Sequence, residues 1–190
     1  MEWLLIIVLL VVAFGPVFWL MPGPRERRIA SLRQQAYREG MRVELRRLPK
    51  ADPAAEERVT AGGRERNLTR EVAAYLYPLP VTLRVLPAWR VLRAGDGSEA
   101  VAGWRFEIGR KPVDPHLDDA LEAVAGVLHD LPDDVIAVEC DARDVAGYFL
   151  ESADTEAERV TDLAARLGKA AAALAELDQR LRAETEGRNI

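Results

Sequence analysis

Carboxylates and imidazoles, the side chains best suited to metal binding or proton transfer, concentrate in one stretch of this sequence. Two groups of four flank an apolar segment: Asp114, His116, Asp118 and Asp119, then His129, Asp130, Asp133 and Asp134. These residue types could hold a divalent metal or form an acid–base pair. Helix capping explains them equally well, because acids suit the first turn of a helix and a histidine suits the last. We favour capping and predict no metal or catalytic site here.

Other catalytic patterns are absent from the sequence. Gly62-Gly63 lies in a polar stretch and Gly95/Gly97 lie in a turn, so neither forms the strand–glycine loop–helix unit that binds phosphate. There is no G-x-S-x-G motif. Cys140, the single cysteine, lies in the apolar run VIAVEC and is expected to be a core residue rather than a nucleophile. We therefore predict a protein that is not an enzyme and uses no cofactor.

The most apolar stretch is 1–21, where no charged residue occurs from Trp3 to Met21. Nineteen helical residues span about 29 Å, close to the thickness of a bilayer core. The stretch before it is acidic and no small-x-small cleavage site follows it, which disfavours a secretory signal peptide. Residues 1–23 are therefore predicted to be a single transmembrane helix that ends at Pro22-Gly23-Pro24.

Charge is distributed unevenly after that stretch. Residues 25–50 contain nine basic and three acidic residues, whereas residues 51–190 have a net charge of −10. Lysine and arginine beside a membrane span stay on the cytoplasmic side. The basic residues that follow the apolar stretch therefore predict an inner-membrane protein with its N-terminus outside and its C-terminal domain in the cytoplasm. A basic collar would contact membrane lipids; it comprises Arg25, Arg27, Arg28, Arg33 and Arg38. The net negative charge of residues 51–190 argues against nucleic acid as a partner.

Periodicity predicts an α+β fold with a small antiparallel or mixed sheet, packed helices and a long C-terminal helix. Helical spacing covers 24–39, an interfacial helix or one packed on the domain, and also 115–131. Strand patterns run from Met41 to Pro49, over 81–85, on both sides of the Gly95–Ser98 turn, and over 135–140. Residues 50–66 read as a loop, and 68–77 fit either a helix or a strand. We divide the chain into 1–23, 24–50, 51–152 and 153–190.

The C-terminal helix carries an unbroken 3-4 apolar pattern, the seam of a coiled coil. Its members are Val160, Leu163, Leu167, Ala170, Leu174, Leu177 and Leu181. Such a seam packs on another protein, on a second copy, or on its own domain. We treat it as a candidate interaction surface and leave these alternatives open.

The N-terminal third resembles known bacterial membrane proteins in its layout. An apolar span, a proline-containing exit, the basic segment Pro24–Arg28 and the short strand after Gly40 are similar to YajC-like accessory subunits of the Sec translocase. The chain also resembles uncharacterised single-pass inner-membrane proteins of proteobacteria. The resemblance implies an accessory subunit of a membrane complex as the alternative function. Our leading prediction is a non-enzymatic, membrane-anchored adaptor that tethers a protein partner.

Overall fold

The computed structural model describes residues 3, 23–49, 69–94, 100–107, 111–152 and 155–188. Its helices are α1 (Pro24–Arg38), α2 (Leu117–Asp130) and α3 (Ala157–Arg188). Its strands are β1 (Arg42–Pro49), β2 (Thr69–Pro78), β3 (Trp89–Arg93), β4 (Trp104–Phe106), β5 (Val135–Cys140) and β6 (Asp144–Phe149). The predicted α+β class is therefore correct for this part of the chain, and the described residues of the ambiguous stretch, 69–77, belong to a strand.

The six strands form one antiparallel sheet in the order β1-β2-β6-β5-β3-β4. The apolar strand β5 is internal, as its continuous hydrophobic sequence predicts. β3 and β4 pair as the predicted hairpin, with Val91 opposite Phe106 and Arg93 opposite Trp104. β1 pairs directly with β2, so residues 24–49 belong to the same folded unit as the residues that follow.

Alternation along the strands gives the sheet two unlike faces. The inner face packs against residues of α1, α2 and α3 in the main core, which includes Tyr75, Val138 and Phe149. The outer face carries a second apolar cluster to which the described helices contribute no residue. This cluster consists of Leu48, Val72, Ala74, Leu76, Leu92, Ala137, Ala146 and Tyr148.

Helix α1 has clear local stop and start signals. Pro24 occupies its first turn, and the Glu26 carboxylate accepts a hydrogen bond from the Gly23 N–H at 3.0 Å. At its end Gly40 adopts a positive φ of 78°, and the Met41 N–H bonds the Ala36 carbonyl at 2.9 Å. This is a Schellman ending, which glycine makes without steric cost. It reverses the chain directly into β1.

The 3-4 seam of α3 packs inside the chain. Val160, Leu163, Leu167, Ala170 and Leu174 are buried in the main core, and Leu177 and Leu181 pack partly buried against it. Of the alternatives left open by the sequence, the structure therefore selects packing of the seam on its own domain.

Gly147 of β6 allows α3 to approach the sheet closely. A Cβ at this position would lie 3.3 Å from Leu163 Cδ1 and 3.5 Å from Leu167 Cδ1. We therefore expect Gly147→Val to lower the free energy of unfolding by about 1–3 kcal/mol, because the added methyl groups overpack this contact. Urea denaturation measures the change. Gly126→Ala, in helix α2, is the matched control. The added Cβ would meet no atom within 4 Å outside the helix's own backbone, and we expect the free energy of unfolding to rise by about 0.5–1 kcal/mol. Equal effects at the two glycines would contradict this account.

The alternation at Val81, Leu83 and Val85 does not mark a strand. Residues 79–88 form a loop between β2 and β3. Its backbone is held by tertiary contacts: Leu79 and Leu83 donate their N–H groups to the carbonyls of Arg143 and Ala142, at 2.7 and 2.9 Å. The strand prediction for this stretch is therefore wrong, because backbone groups that a ladder would use are bonded elsewhere.

The membrane predictions need correction. No helix in the described part of the chain is long and apolar enough to cross a membrane. At about 1.5 Å per residue, the 15 residues of α1 are too short, and α3 carries charged residues through most of its length. This finding contradicts the predicted single-pass fold class and the inner-membrane localisation. The segment on which they were based, 1–23, lies outside the described residues apart from Trp3 and Gly23; so does the predicted loop at 50–66.

Candidate functional site

The first group of acids and histidine forms a turn at the start of α2. The Asp114 carboxylate accepts the His116 N–H at 2.9 Å, and His116 Nδ1 lies 3.4 Å from Asp119 Oδ2. The helix begins at Leu117, after this turn rather than at Pro115. Asp118 and Asp119 are exposed in its first turn, where negative charge complements the helix dipole.

The second group lies at the other end of α2, about 20 Å away along this 14-residue helix. There Asp130, Asp133 and Asp134 each lie within 4 Å of an arginine: Arg166, Arg93 and Arg159. No group of three histidine, cysteine or acidic side chains that could hold a metal occurs among the described residues. The eight residues therefore do not come together as one site in the described structure.

The predicted collar arginines have different environments. Arg33 forms a two-pronged ion pair with Glu151, at 2.9 and 2.7 Å, and Tyr75 donates its hydroxyl to the same carboxylate. Arg28 donates to the Thr155 carbonyl. Arg25, Arg27 and Arg38 are exposed on α1. Arg28 and Arg33 thus fasten α1 to the segment that leads into α3, and the five do not form one exposed basic surface.

Cys140 lies on β5 and is fully buried. Burial raises the pKa of its thiol to about 12, with a further contribution from Asp141 and Glu139. A thiol with this pKa is almost entirely protonated at neutral pH and is a poor nucleophile. Its place in the core agrees with the prediction from its apolar surroundings.

A network of paired charges crosses the outer face. Glu139 accepts Arg90 Nε at 2.9 Å and the Tyr148 hydroxyl, and its other oxygen lies 3.6 Å from Arg46. Arg90 also lies 3.3 Å from Glu107. Burial raises the pKa of Tyr148, reinforced by its hydrogen bond to Glu139. Since each charge has an opposite partner and the phenol stays protonated, the network serves to bind strands β1, β6, β5 and β3 together.

A separate pocket of about 400 Å³ is lined by residues that include members of β1, β2, β3 and β5. Its apolar lining includes Leu48, Leu92 and Ile136. Arg93 contributes to the wall but donates to the carbonyls of Leu131, Pro132 and Val135, and its guanidinium lies 4.6 Å from the centre of the Trp104 ring. The described residues that line the pocket include no nucleophilic side chain paired with a base, the arrangement that covalent catalysis uses.

The remaining candidate is the outer edge of β1. Among the described residues this strand pairs only with β2, which leaves one side of an eight-residue strand open. The opposite edge strand, β4, has only three residues. Leu45 on β1 is 54% exposed, and Tyr37 on the adjoining helix α1 is 61% exposed. Long edge strands are templates for pairing with another chain.

Sequence reasoning identified β1 and its alternation but not this edge. The pattern of residues 41–45 shows which side chains share a face, whereas the position of a strand within a sheet depends on pairing with distant residues. The sequence marks Leu45 as an inner-face residue of β1, and only the structure shows that it is 54% exposed.

The described residues between 23 and 188 thus form a six-stranded antiparallel sheet with three helices on one face. Comparison with protein-family models, curated proteins and solved structures finds no match to this chain. The resemblance to YajC-like subunits stays a prediction.

Proposed function

We propose that this chain is a non-enzymatic adaptor domain that binds a protein partner along the outer edge of β1. The observation that carries the proposal is the edge of the eight-residue strand β1 that no described strand pairs with, and the half-exposed leucine at its centre. An extended segment of a partner would add to the sheet as a further strand. Main-chain hydrogen bonds would supply affinity, and the side chains flanking Leu45 would supply specificity.

The rest of the described surface supports an interaction role over a catalytic one. The acids near α2 are divided between its two ends, the arginine network on the outer face is internally paired, and the cysteine is buried. By contrast, the β1 edge presents backbone donors and acceptors that another chain can use directly. The adaptor prediction is therefore kept without its membrane tether.

Site-specific photocrosslinking in the native cell tests this proposal. A benzoylphenylalanine introduced in place of Leu45 should give a discrete covalent adduct. The same replacement of Val113, which is fully exposed just before α2, should give none. The captured protein, once purified, should bind the wild-type chain and bind the Leu45→Lys chain at least about tenfold more weakly, a difference of about 1.4 kcal/mol. Absence of an adduct at position 45, or the same adduct at both positions, would overturn the proposal.

A further inference from the structure

The charges of β1 are self-complementary in one antiparallel arrangement. Arg42, Glu44 and Arg46 point to the outer face, while Val43, Leu45 and Arg47 alternate with them on the inner face. A two-fold axis at Leu45 would place the two Leu45 side chains opposite each other. In that register each Glu44 lies opposite the Arg46 of the second copy.

Neighbouring registers are electrostatically worse. An axis at Glu44 puts two Glu44 side chains face to face and Arg42 opposite Arg46. An axis at Arg46 puts two arginines face to face. Directly opposed like charges destabilise an antiparallel pair, whereas opposite charges stabilise it. An axis at Val43 also places opposite charges, Arg42 and Glu44, across from each other. However, α1 ends at Arg38 and β1 begins only at Arg42, so each copy could pair over no more than Arg42 to Glu44.

The side chains needed for the Leu45 register are accessible. The Glu44 and Arg46 side chains are 45% and 28% exposed, and they already contact each other at 2.9 Å within one strand. A second copy would therefore add an opposite charge to an existing pair without burying a lone charge. The two Leu45 side chains would cover each other, and removing their apolar surface from water favours dimerisation.

We propose that the partner at this edge is a second copy of the same chain, paired through β1 with the two-fold axis at Leu45. This inference rests on the proposed function, because it uses the same edge. The result is an isologous dimer in which two six-stranded sheets become one continuous sheet. Strand addition satisfies the open backbone of β1 in both copies.

A charge-swap series on the full chain tests this register, with the dimer dissociation constant measured by sedimentation. Glu44→Arg and Arg46→Glu should each raise the constant at least about tenfold, because each creates two like-charge oppositions. The double variant E44R/R46E restores opposite charges across the axis and should recover dimerisation. Because Arg46 also lies near Glu139 within the fold, the melting temperature of each variant is measured alongside.

Disulfide trapping gives a second readout that does not depend on those charges. The Leu45→Cys chain should crosslink to itself under mild oxidation, since residues on the axis face each other. The Val113→Cys chain, more exposed than Leu45→Cys and outside β1, should not; Cys140 is buried in both.

Two results would overturn this inference without removing the adaptor function. One is a wild-type chain that stays monomeric at every concentration while position 45 captures a different protein; the adaptor function would then stand and only the identity of the partner would be wrong. The other is a dimer that is indifferent to the charge swaps and to Leu45→Cys oxidation. A monomer that captures nothing at position 45 would remove both proposals.

Discussion

Replacing Asp178 by alanine should lower the free energy of unfolding by about 3–5 kcal/mol, the largest polar effect expected in this protein. Asp178 lies on α3 and is fully buried. Its Oδ1 accepts the backbone N–H groups of Arg84, Val85 and Leu86 at 2.9, 2.7 and 3.1 Å. Its Oδ2 pairs with Arg182. Alanine would leave three N–H donors and the side chain of Arg182 without this acceptor. Unfolding in guanidinium chloride would measure the loss of stability.

Asp178→Asn separates shape from charge. The amide oxygen can still accept the loop N–H groups, so we expect a smaller loss of about 1–2 kcal/mol, due to weaker hydrogen bonds to a neutral acceptor. Glu176→Ala, at an exposed acid on the same helix, is the control and should change stability by less than about 0.5 kcal/mol. A loss at Asp178 as small as at Glu176 would show that the loop does not depend on the carboxylate.

The stability that Asp178 contributes should depend on pH in a definite direction. Burial alone would raise the pKa of its carboxyl group, but the three N–H donors and Arg182 outweigh burial, so the pKa lies below its ordinary value of 3.8. A lowered pKa in the folded state gives stability that is fully present above pH 3.8 and is lost as the pH falls through the folded-state pKa. The difference in unfolding free energy between wild type and Asp178→Asn should therefore shrink in acid. A difference that grows in acid would contradict this sign.

Leu167→Asp should abolish cooperative folding. Leu167 is fully buried at the middle of the α3 seam and its methyl groups face Gly147 of the sheet. A carboxylate there would be buried without a cation, which costs far more than the loss of a methyl group. The milder Leu167→Ala should lose about 2–5 kcal/mol. Circular dichroism during thermal unfolding would detect the missing transition.

Ala165→Asp provides the comparison for Leu167→Asp. It adds the same charge two residues away on the exposed side of α3 and should leave the unfolding midpoint nearly unchanged. A folded Leu167→Asp chain with an altered oligomeric mass would instead make the seam a contact between molecules. That outcome would conflict with the packing described here and would also displace β1 as the dimer contact.

The 3-4 pattern of α3 predicted a candidate interaction surface, but this seam packs in the core of its own domain. The 3-4 spacing of residues 160–181 requires only that one apolar stripe be covered. A stripe covered by a second helix and one covered by a sheet leave the same pattern in the sequence. In this chain the cover comes from the inner face of the sheet and from α1 and α2, so the surface that we propose for a partner is the edge of β1 instead.

The stretch 68–77 illustrates a different limit. Val72 to Leu76 are all buried, so β2 shows none of the alternation that identifies a strand with one wet face. Its pairing with β1 and β6 makes it a strand. A short apolar run has no period of its own, and its partners decide its conformation.

The sequence by itself determined the elements whose signals are local. Pro24 and Gly40 bound α1, the 3-4 pattern gives α3, and the apolar run 135–140 gives an internal strand, because capping, periodicity and burial act within a few residues. Only the tertiary structure decided the loop at 79–88 and the free edge at β1. The backbone N–H groups of that loop donate to Asp178, which lies 92 to 94 residues away in the sequence. Whether β1 lies at an edge depends on how the other strands pair.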